Sequence, residues 1–371
     1  MKNVSGLSQI FKVKVHLHYT WIMAFVLVIA IMVTQFSEAY PLWQRMLLGL
    51  AAGFIFLMSI SIREFILRFL AISKGIPIRG ISLYVFGGAP RLTAEVSMPS
   101  LDVLVAVTGL IANLLVVMMF WGVYIWLVVI GSVAFAGLTQ WLAYIYFLLT
   151  AFHFLPGFPL DGGRILRAIL WKILDDSDRA TIIASWTGLG IGLVCLLAGI
   201  TYLVMTGRWF TWLVLVIAGW ALMSAAVQSL RQATLYHSLR NIEASDMMSR
   251  DYTSISPELD INRLVNDYII VNGQRYFIVV DDEAKLRGIV TLNDIKSVSK
   301  QLWNTTTTAS IMKPAGQFEV ALINQSAVNL LEYMDGVDID YMPVIENEKV
   351  IGIIGRDSLH RLGKTRLEIG E

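Results

Sequence analysis

The sequence predicts a polytopic α-helical membrane protein of about six transmembrane helices, followed by an α/β domain, and three observations carry that prediction. Hydrophobic residues make up 56% of the 371 and charged residues only 15%, a balance too apolar for an ordinary soluble domain. Apolar runs approaching the ~20 residues of a spanning helix recur along the first 230 residues. Beyond Arg231 the chain alternates polar and apolar residues with frequent charges, so a domain of another kind begins there.

In chain order the runs are Trp21–Phe36, Leu47–Phe65, Leu101–Val129, Val133–Phe154, Ala184–Met205 and Trp209–Val227. The first follows His16, His18 and several lysines and ends in no small-residue cleavage site, so it is expected to stay as an uncleaved span. His16 and His18 alternate with Val15 and Leu17, which suits a strand or turn at the membrane surface. Trp21, Trp43 and Trp209 stand near span ends as interfacial anchors. Lys12, Lys14, Lys74, Arg79, Arg91, Arg164, Arg167, Lys172, Arg179, Arg231 and Arg240 fall on one set of alternate loops, against Arg45 and Arg208 on the other. That bias predicts a multi-pass cell-membrane protein with the N-terminus and the C-terminal domain in the cytoplasm. A net charge of +1 argues against nucleic acid as a partner. Cys195, the single cysteine, lies in an apolar run, which excludes a disulfide framework and a cysteine zinc site.

The C-terminal part repeats itself with a period of about sixty residues. Tyr276-Phe277-Ile278-Val279-Val280 followed by Arg287-Gly288-Ile289-Val290-Thr291-Leu292-Asn293-Asp294 returns as Tyr341-Met342-Pro343-Val344-Ile345 and Val350-Ile351-Gly352-Ile353-Ile354-Gly355-Arg356-Asp357-Ser358. Each copy reads as a helix, at Ile261–Ile270 or Ala327–Met334, then strand, acidic turn, strand and closing helix. The division expected is residues 1–230 in the membrane, a first repeat at 240–298 and a second at 305–364. These repeats resemble a cystathionine-β-synthase-type (CBS) domain pair. The resemblance implies an adenine nucleotide whose ribose meets Thr291 and Asp294, whereas Gly355 and Ser358 stand at the matching positions of the second repeat. It also implies a homodimer, and leaves open a module that serves only as a docking surface.

In the membrane part the segment Arg63-Glu64-Phe65-Ile66-Leu67 places a glutamate inside an apolar run, where an ionisable side chain points to function. In a zinc protease two histidines at i and i+4 of one helix face hold the metal, and the glutamate after the first takes a proton from metal-bound water. Here those positions are Arg63 and Leu67. A guanidinium stays protonated and leucine offers no lone pair, so neither binds zinc. Downstream, Phe152-His153-Phe154-Leu155-Pro156-Gly157-Phe158-Pro159-Leu160-Asp161-Gly162-Gly163-Arg164 breaks a span with prolines and glycines, so Asp161 is expected to project from irregular backbone into a protein-lined cavity.

Together with Lys74-Gly75-Ile76-Pro77-Ile78-Arg79 and Leu83-Tyr84-Val85-Phe86-Gly87-Gly88, these segments resemble the site-2 protease family of intramembrane zinc metalloproteases, whose members include forms with C-terminal CBS pairs. The resemblance implies Glu64 as general base, Asp161 as third zinc ligand, and Gly87, Gly88 and His153 as substrate-binding residues. Thr108-Gly109-Leu110, with Asn113 nearby, stands where the family has Ala-Gly-Pro. The family's cofactor is zinc and its substrate a transmembrane protein. Arg63 and Leu67 at the histidine positions, with bulky Phe65 and Ile66 crowding the space, imply a catalytically impaired chain or a pseudoprotease that binds a transmembrane partner under nucleotide control. Two fates remain open for the residues: a rebuilt metal shell of His153, Asp161 and Glu64, or charge compensation in which Glu64 or Asp161 pairs with Arg63 or Arg68. No paired broken helices or further intramembrane charges line a path, which argues against a transporter.

Overall fold

A computed structural model of the chain describes residues 15–17, 20–36, 38–73, 81–83, 98–206, 209–274, 276–283, 285–337, 339–347 and 349–369. The chain divides into two compact units, Met1–Thr234 and Leu235–Glu371.

In the first unit a short strand, β1 (Val15–Leu17), runs parallel to β2 (Ile81–Leu83), with His16 opposite Ser82. His18 lies outside the described residues. The helices are α1 (Thr20–Gln35), α2 (Leu42–Ser73), α3 (Pro99–Val129), α4 (Val133–His153), α5 (Asp161–Leu174), α6 (Ser177–Thr206) and α7 (Trp209–Leu239). Five of them, α2, α3, α4, α6 and α7, are long and apolar enough to cross a membrane. α1 has 16 residues, about 24 Å at 1.5 Å per residue, and falls short of the ~30 Å hydrocarbon core. The six expected spans therefore correspond to five full-length helices and one shorter one among the described residues. Large apolar side chains such as Phe54, Met58, Trp121 and Val204 are exposed along these helices, as a bilayer solvent requires.

Helix ends depart from the apolar runs. α2 continues nine residues past Glu64 to Ser73, because Arg63 and Arg68 are good helix formers and no proline or glycine intervenes. α5 was not expected as an element at all. Asp161 is its first residue, so irregular backbone is confined to residues 154–160, and Asp161 in the first turn with Lys172 in the last suits the helix dipole. At Gly162 and Gly163 a Cβ would overlap the backbone of Phe154, Leu155 and Gly157, so the two glycines let α5 start flush against the loop that feeds it.

Val28 and Met32 of α1, Phe56 and Ile60 of α2, Phe120 of α3 and Leu142 and Tyr146 of α4 form the buried core of the first unit. The Tyr146 hydroxyl donates to the Phe56 carbonyl at 2.9 Å, which satisfies the one polar atom of that side chain. α5 packs against both α3 and α6.

The second unit continues with α8 (Ala244–Met247) and β3 (Ser254–Ile255), then a helix α9 over residues 261–272 whose middle, Leu264–Ile269, is π-helical. β4 (Tyr276–Val280), β5 (Leu286–Thr291), α10 (Leu292–Lys296), α11 (Thr308–Ile311), β6 (Lys313–Pro314), β7 (Ala321–Leu322), α12 (Ala327–Val337), β8 (Tyr341–Glu346), β9 (Lys349–Gly355) and α13 (Arg356–Ile369) complete it. One sheet has the order β3-β4-β5-β6 and the other β7-β8-β9. The β4–β5 and β8–β9 pairs are antiparallel, with Tyr276 opposite Thr291 and Tyr341 opposite Gly355.

The packing is reciprocal between the repeats. Thr308, which opens the second repeat, donates its N–H to Leu259 of the first at 2.8 Å, and Ala244, which opens the first, donates to Gln325 of the second at 2.9 Å. β6 joins the sheet of the first repeat. Leu239, Ile242 and Ala244 share a core with Leu330, Leu331 and Met342, while Ile311 and Met312 share one with Leu264, Phe277 and Val290. Tyr276 and Tyr341 meet between the repeats, ring centroids 3.9 Å apart.

Candidate functional site

Helical periodicity decides which residues of α2 reach the interior. Phe56, Ile60, Arg63 and Glu64 are buried on one face, and Leu67 is half-buried below them. Phe65 and Ile66 are 46% and 45% exposed, so they point away and do not crowd the site as the sequence suggested. Arg63 retains 7% of its exposure, Glu64 4% and Asp161 5%.

Arg63 joins the two carboxylates. Its Nη1 donates to Glu64 Oε1 at 2.7 Å and its Nη2 to Asp161 Oδ2 at 2.5 Å. These are charge-assisted bonds in a water-poor interior, where the fork of a guanidinium has its greatest effect. α3 closes over the pair at Gly109. A Cβ there would stand 2.8 Å from Arg63 Nη2 and 2.9 Å from Asp161 Oδ2, so any side chain at this position would push both partners of the bridge aside. One turn further along α3, Asn113 is 1% exposed and neither its amide nitrogen nor its oxygen has a hydrogen-bond partner among the described residues.

His153 ends α4, buried, with Nδ1 2.8 Å from the Leu149 carbonyl. A carbonyl only accepts, so Nδ1 is the donor of that bond. Arg164, in the first turn of α5 with Asp161, is 7% exposed and makes no side-chain hydrogen bond or ion pair among the described residues. Arg167 of α5 donates from Nε to Asp102 Oδ2 of α3 at 2.7 Å, adds a second bond from Nη2, and lies 5.2 Å from the Phe158 ring centroid. Asp102 is thus a further charge inside the helical unit that the sequence reading passed over, and Arg164 and Arg167, expected on a loop, pack inside the same unit. The signal was available: Asp102 sits one residue into an apolar run of spanning length.

These residues do not suit a zinc ion. Arg63 and Leu67 supply no lone pair, and a guanidinium lies between the two carboxylates that a dication would draw in. Glu64, Asp161 and His153 do not bring their ligand atoms within 4.8 Å of one another, so the rebuilt shell is not assembled. Of the two fates left open by the sequence, charge compensation by Arg63 is the one formed. Gly87 and Gly88 lie outside the described residues.

In the second unit Thr291 caps α10. Asp294 Oδ2 accepts from the Thr291 N–H at 2.8 Å and from its hydroxyl at 2.6 Å, while Oδ1 makes no hydrogen bond among the described residues. In the second repeat Gly355 faces the Tyr341 ring, and Ser358 Oγ accepts from Arg361 Nη2 at 3.3 Å. The two repeats therefore offer different chemistry at matching places.

An apolar helical unit with a buried charge cluster, followed by a twofold α/β repeat, defines a polytopic membrane protein with an appended α/β module. The CBS domain family matches residues 244–300. Two relatives match most of the chain. The Synechocystis protein sll0528, provisionally named a zinc metalloprotease, is 27% identical over 323 residues, 84% of this chain and 82% of the relative. Rip3 of Mycobacterium tuberculosis, also provisionally named a zinc metalloprotease, is 25% identical over 370 residues, 98% of this chain and 93% of the relative. Among solved structures, CBSX2 in complex with AMP is similar over 35% of this chain and 98% of its own, at 18% identity and a TM-score of 0.30. The chain is a multi-pass membrane protein with a C-terminal CBS module, similar over most of its length to proteins named as zinc metalloproteases, and it carries Arg63 and Leu67 where a site-2 protease has its two zinc-binding histidines.

Proposed function

We propose that the chain is a non-catalytic site-2-protease-like protein that holds a transmembrane segment of another protein in its helical unit and takes an adenine nucleotide at the first CBS repeat. The observation that carries this reading is the Arg63 bridge. Hydrolysis in such a site needs a metal to polarise the peptide carbonyl and a free glutamate to accept the proton of water. Here Glu64 is bound by Arg63, and so is Asp161, the residue that would complete a metal shell. His153, Gly87 and Gly88 are proposed as partner-binding positions.

Thr291 and Asp294 are the proposed nucleotide contacts, with Asp294 Oδ1 free to accept a ribose hydroxyl. The repeats are assigned to 240–298 and 305–364 behind a membrane domain of 1–230. The positive-inside bias supports a cytoplasmic N-terminus and CBS module in the cell membrane. A homodimer through the CBS module belongs to the same proposal.

Elemental mass spectrometry of the full chain in detergent tests the reading, alongside cleavage of a model transmembrane substrate. Wild type is expected to hold no zinc above background and to cleave nothing, whereas Arg63→His with Leu67→His should hold about one zinc per chain. One zinc per wild-type chain, lost on Asp161→Ala, would show a working metal centre and end the proposal.

A further inference from the structure

The residues disagree with the metal that the family resemblance implies, and the disagreement has a definite form. We infer that Arg63, backed by Arg164, is a permanent cation built into the chain in place of the metal. The former metal cleft is then a charge-balanced structural cluster that clamps α2 to α5 and has no exchangeable occupant.

Geometry gives the first argument. A metal in such a site ties side chains of different helices to one point, and the Arg63 guanidinium does the same by reaching Glu64 on its own helix and Asp161 on α5. The second argument is charge. Glu64 and Asp161 bring two negative charges into a buried space, and Arg63 returns one positive charge. Arg164 supplies the other from three residues beyond Asp161 on the same helix, buried and with its side chain engaged in no hydrogen bond or ion pair among the described residues. Arg167 is already committed to Asp102, so it is not the balancing charge. An unbalanced charge buried at this depth is strongly unfavourable, and the two arginines together supply the double positive charge that a dication would have carried.

Space gives the third argument. Gly109 leaves the volume of a missing Cβ against both Arg63 Nη2 and Asp161 Oδ2, so the neighbouring helix is cut to fit the bridge. A tethered guanidinium neither dissociates nor loses its proton at any pH the protein meets. The cluster therefore holds whether or not a transmembrane partner is bound.

Thermal unfolding of the full chain in detergent tests this through two variants, Arg63→Met in the natural sequence and Arg63→Met in a Glu64→Gln/Asp161→Asn background. The single variant takes the guanidinium away from two buried carboxylates and should lower the midpoint by about 5–10 °C. With the carboxylates neutralised, the same change should cost at most a few tenths of that shift, and neither EDTA nor added zinc should move the wild-type midpoint. If the single variant does not fold at all, the triple variant must. An equal loss in both backgrounds, a triple variant that fails to fold, or a wild-type midpoint that follows zinc or EDTA would overturn the inference. An equal loss in both backgrounds overturns this inference and leaves the proposed function standing, whereas a midpoint that follows zinc or EDTA overturns both, so the two failures stay distinguishable.

Discussion

At the scale of single residues, a guanidinium held at both ends depends on what surrounds it as much as on what it binds. Gly109 is the sharpest case. In an exposed helix interior Gly→Ala adds roughly 1 kcal/mol of stability. Here the added methyl would stand 2.8 and 2.9 Å from the two bonded atoms, so Gly109→Ala should instead cost about 2 kcal/mol, measured by thermal unfolding in detergent. The inability of Arg63 and Leu67 to bind zinc was legible in the sequence, because lone pairs are a property of residue type. So was the need for a cation beside Glu64 and Asp161. What was not legible is which arginine pairs and which does not, since Arg164 and Arg167 differ by three residues and only packing across helices separates their fates. The placement of Phe65 and Ile66 could have been read: with 3.6 residues per turn, the face carrying Ile60, Arg63 and Glu64 turns both outward.

At the scale of elements, two local devices shape the second unit. From the first buried helix residue to the first strand residue, the first repeat counts fifteen positions (261 to 276) and the second fourteen (327 to 341). The π-helical turn at Leu264–Ile269 absorbs the surplus residue, as π-turns inside helices commonly do. Sequence periodicity cannot show this, because a single inserted residue leaves the apolar spacing nearly unchanged. The second device is the turn after β4. Asp281 Oδ1 accepts the Lys285 N–H at 2.8 Å and the Glu283 N–H at 3.1 Å, and Oδ2 accepts from Arg287. The Lys285 N–H above all, helped by the Glu283 N–H and Arg287, holds the carboxyl below the usual aspartate range against desolvation, which works the other way. A carboxylate with a lowered folded-state pKa contributes stability above its ordinary value, about 4, and loses it as pH falls through the lowered one. The soluble unit with Asp281→Asn should accordingly lose less stability than wild type on acidification below about pH 4, followed by circular dichroism.

At the scale of the whole molecule, composition and run length sufficed for the membrane class and for the switch of character near residue 231. The length of α1, the existence of α5 and the reciprocal packing of the repeats were beyond them. α5 was hidden because its basic residues read as a loop beside the apolar runs, although Ile165, Leu166, Ile169 and Leu170 follow helical spacing. The repeats were legible as a pattern, but a pattern does not say whose opening segment packs on whose sheet. Residues 235–371 should fold as one cooperative unit, whereas 240–298 or 305–364 expressed alone should stay largely unfolded by the dispersion of their amide resonances. ATP or AMP in excess should raise the unfolding midpoint of the 235–371 unit, as any ligand of the folded state does, and Asp294→Ala should abolish the rise.

The reciprocal placement of Ala244 and Thr308 has a consequence for how the chain is made. The first CBS repeat leaves the ribosome about sixty residues ahead of the second, yet Leu239, Ile242 and Ala244 find their core only on Ala327, Leu330 and Met342. Thr308 and Met312 must likewise emerge before Leu259 and Gly288 are covered. Synthesis therefore carries the helical unit into the bilayer while the opening segment of the second unit still lacks the Ala327, Leu330 and Met342 that cover it. That cover comes only when the second repeat has been translated, so a message truncated between β6 and β8 should yield a membrane-inserted product whose opening segment at 239–244 stays uncovered.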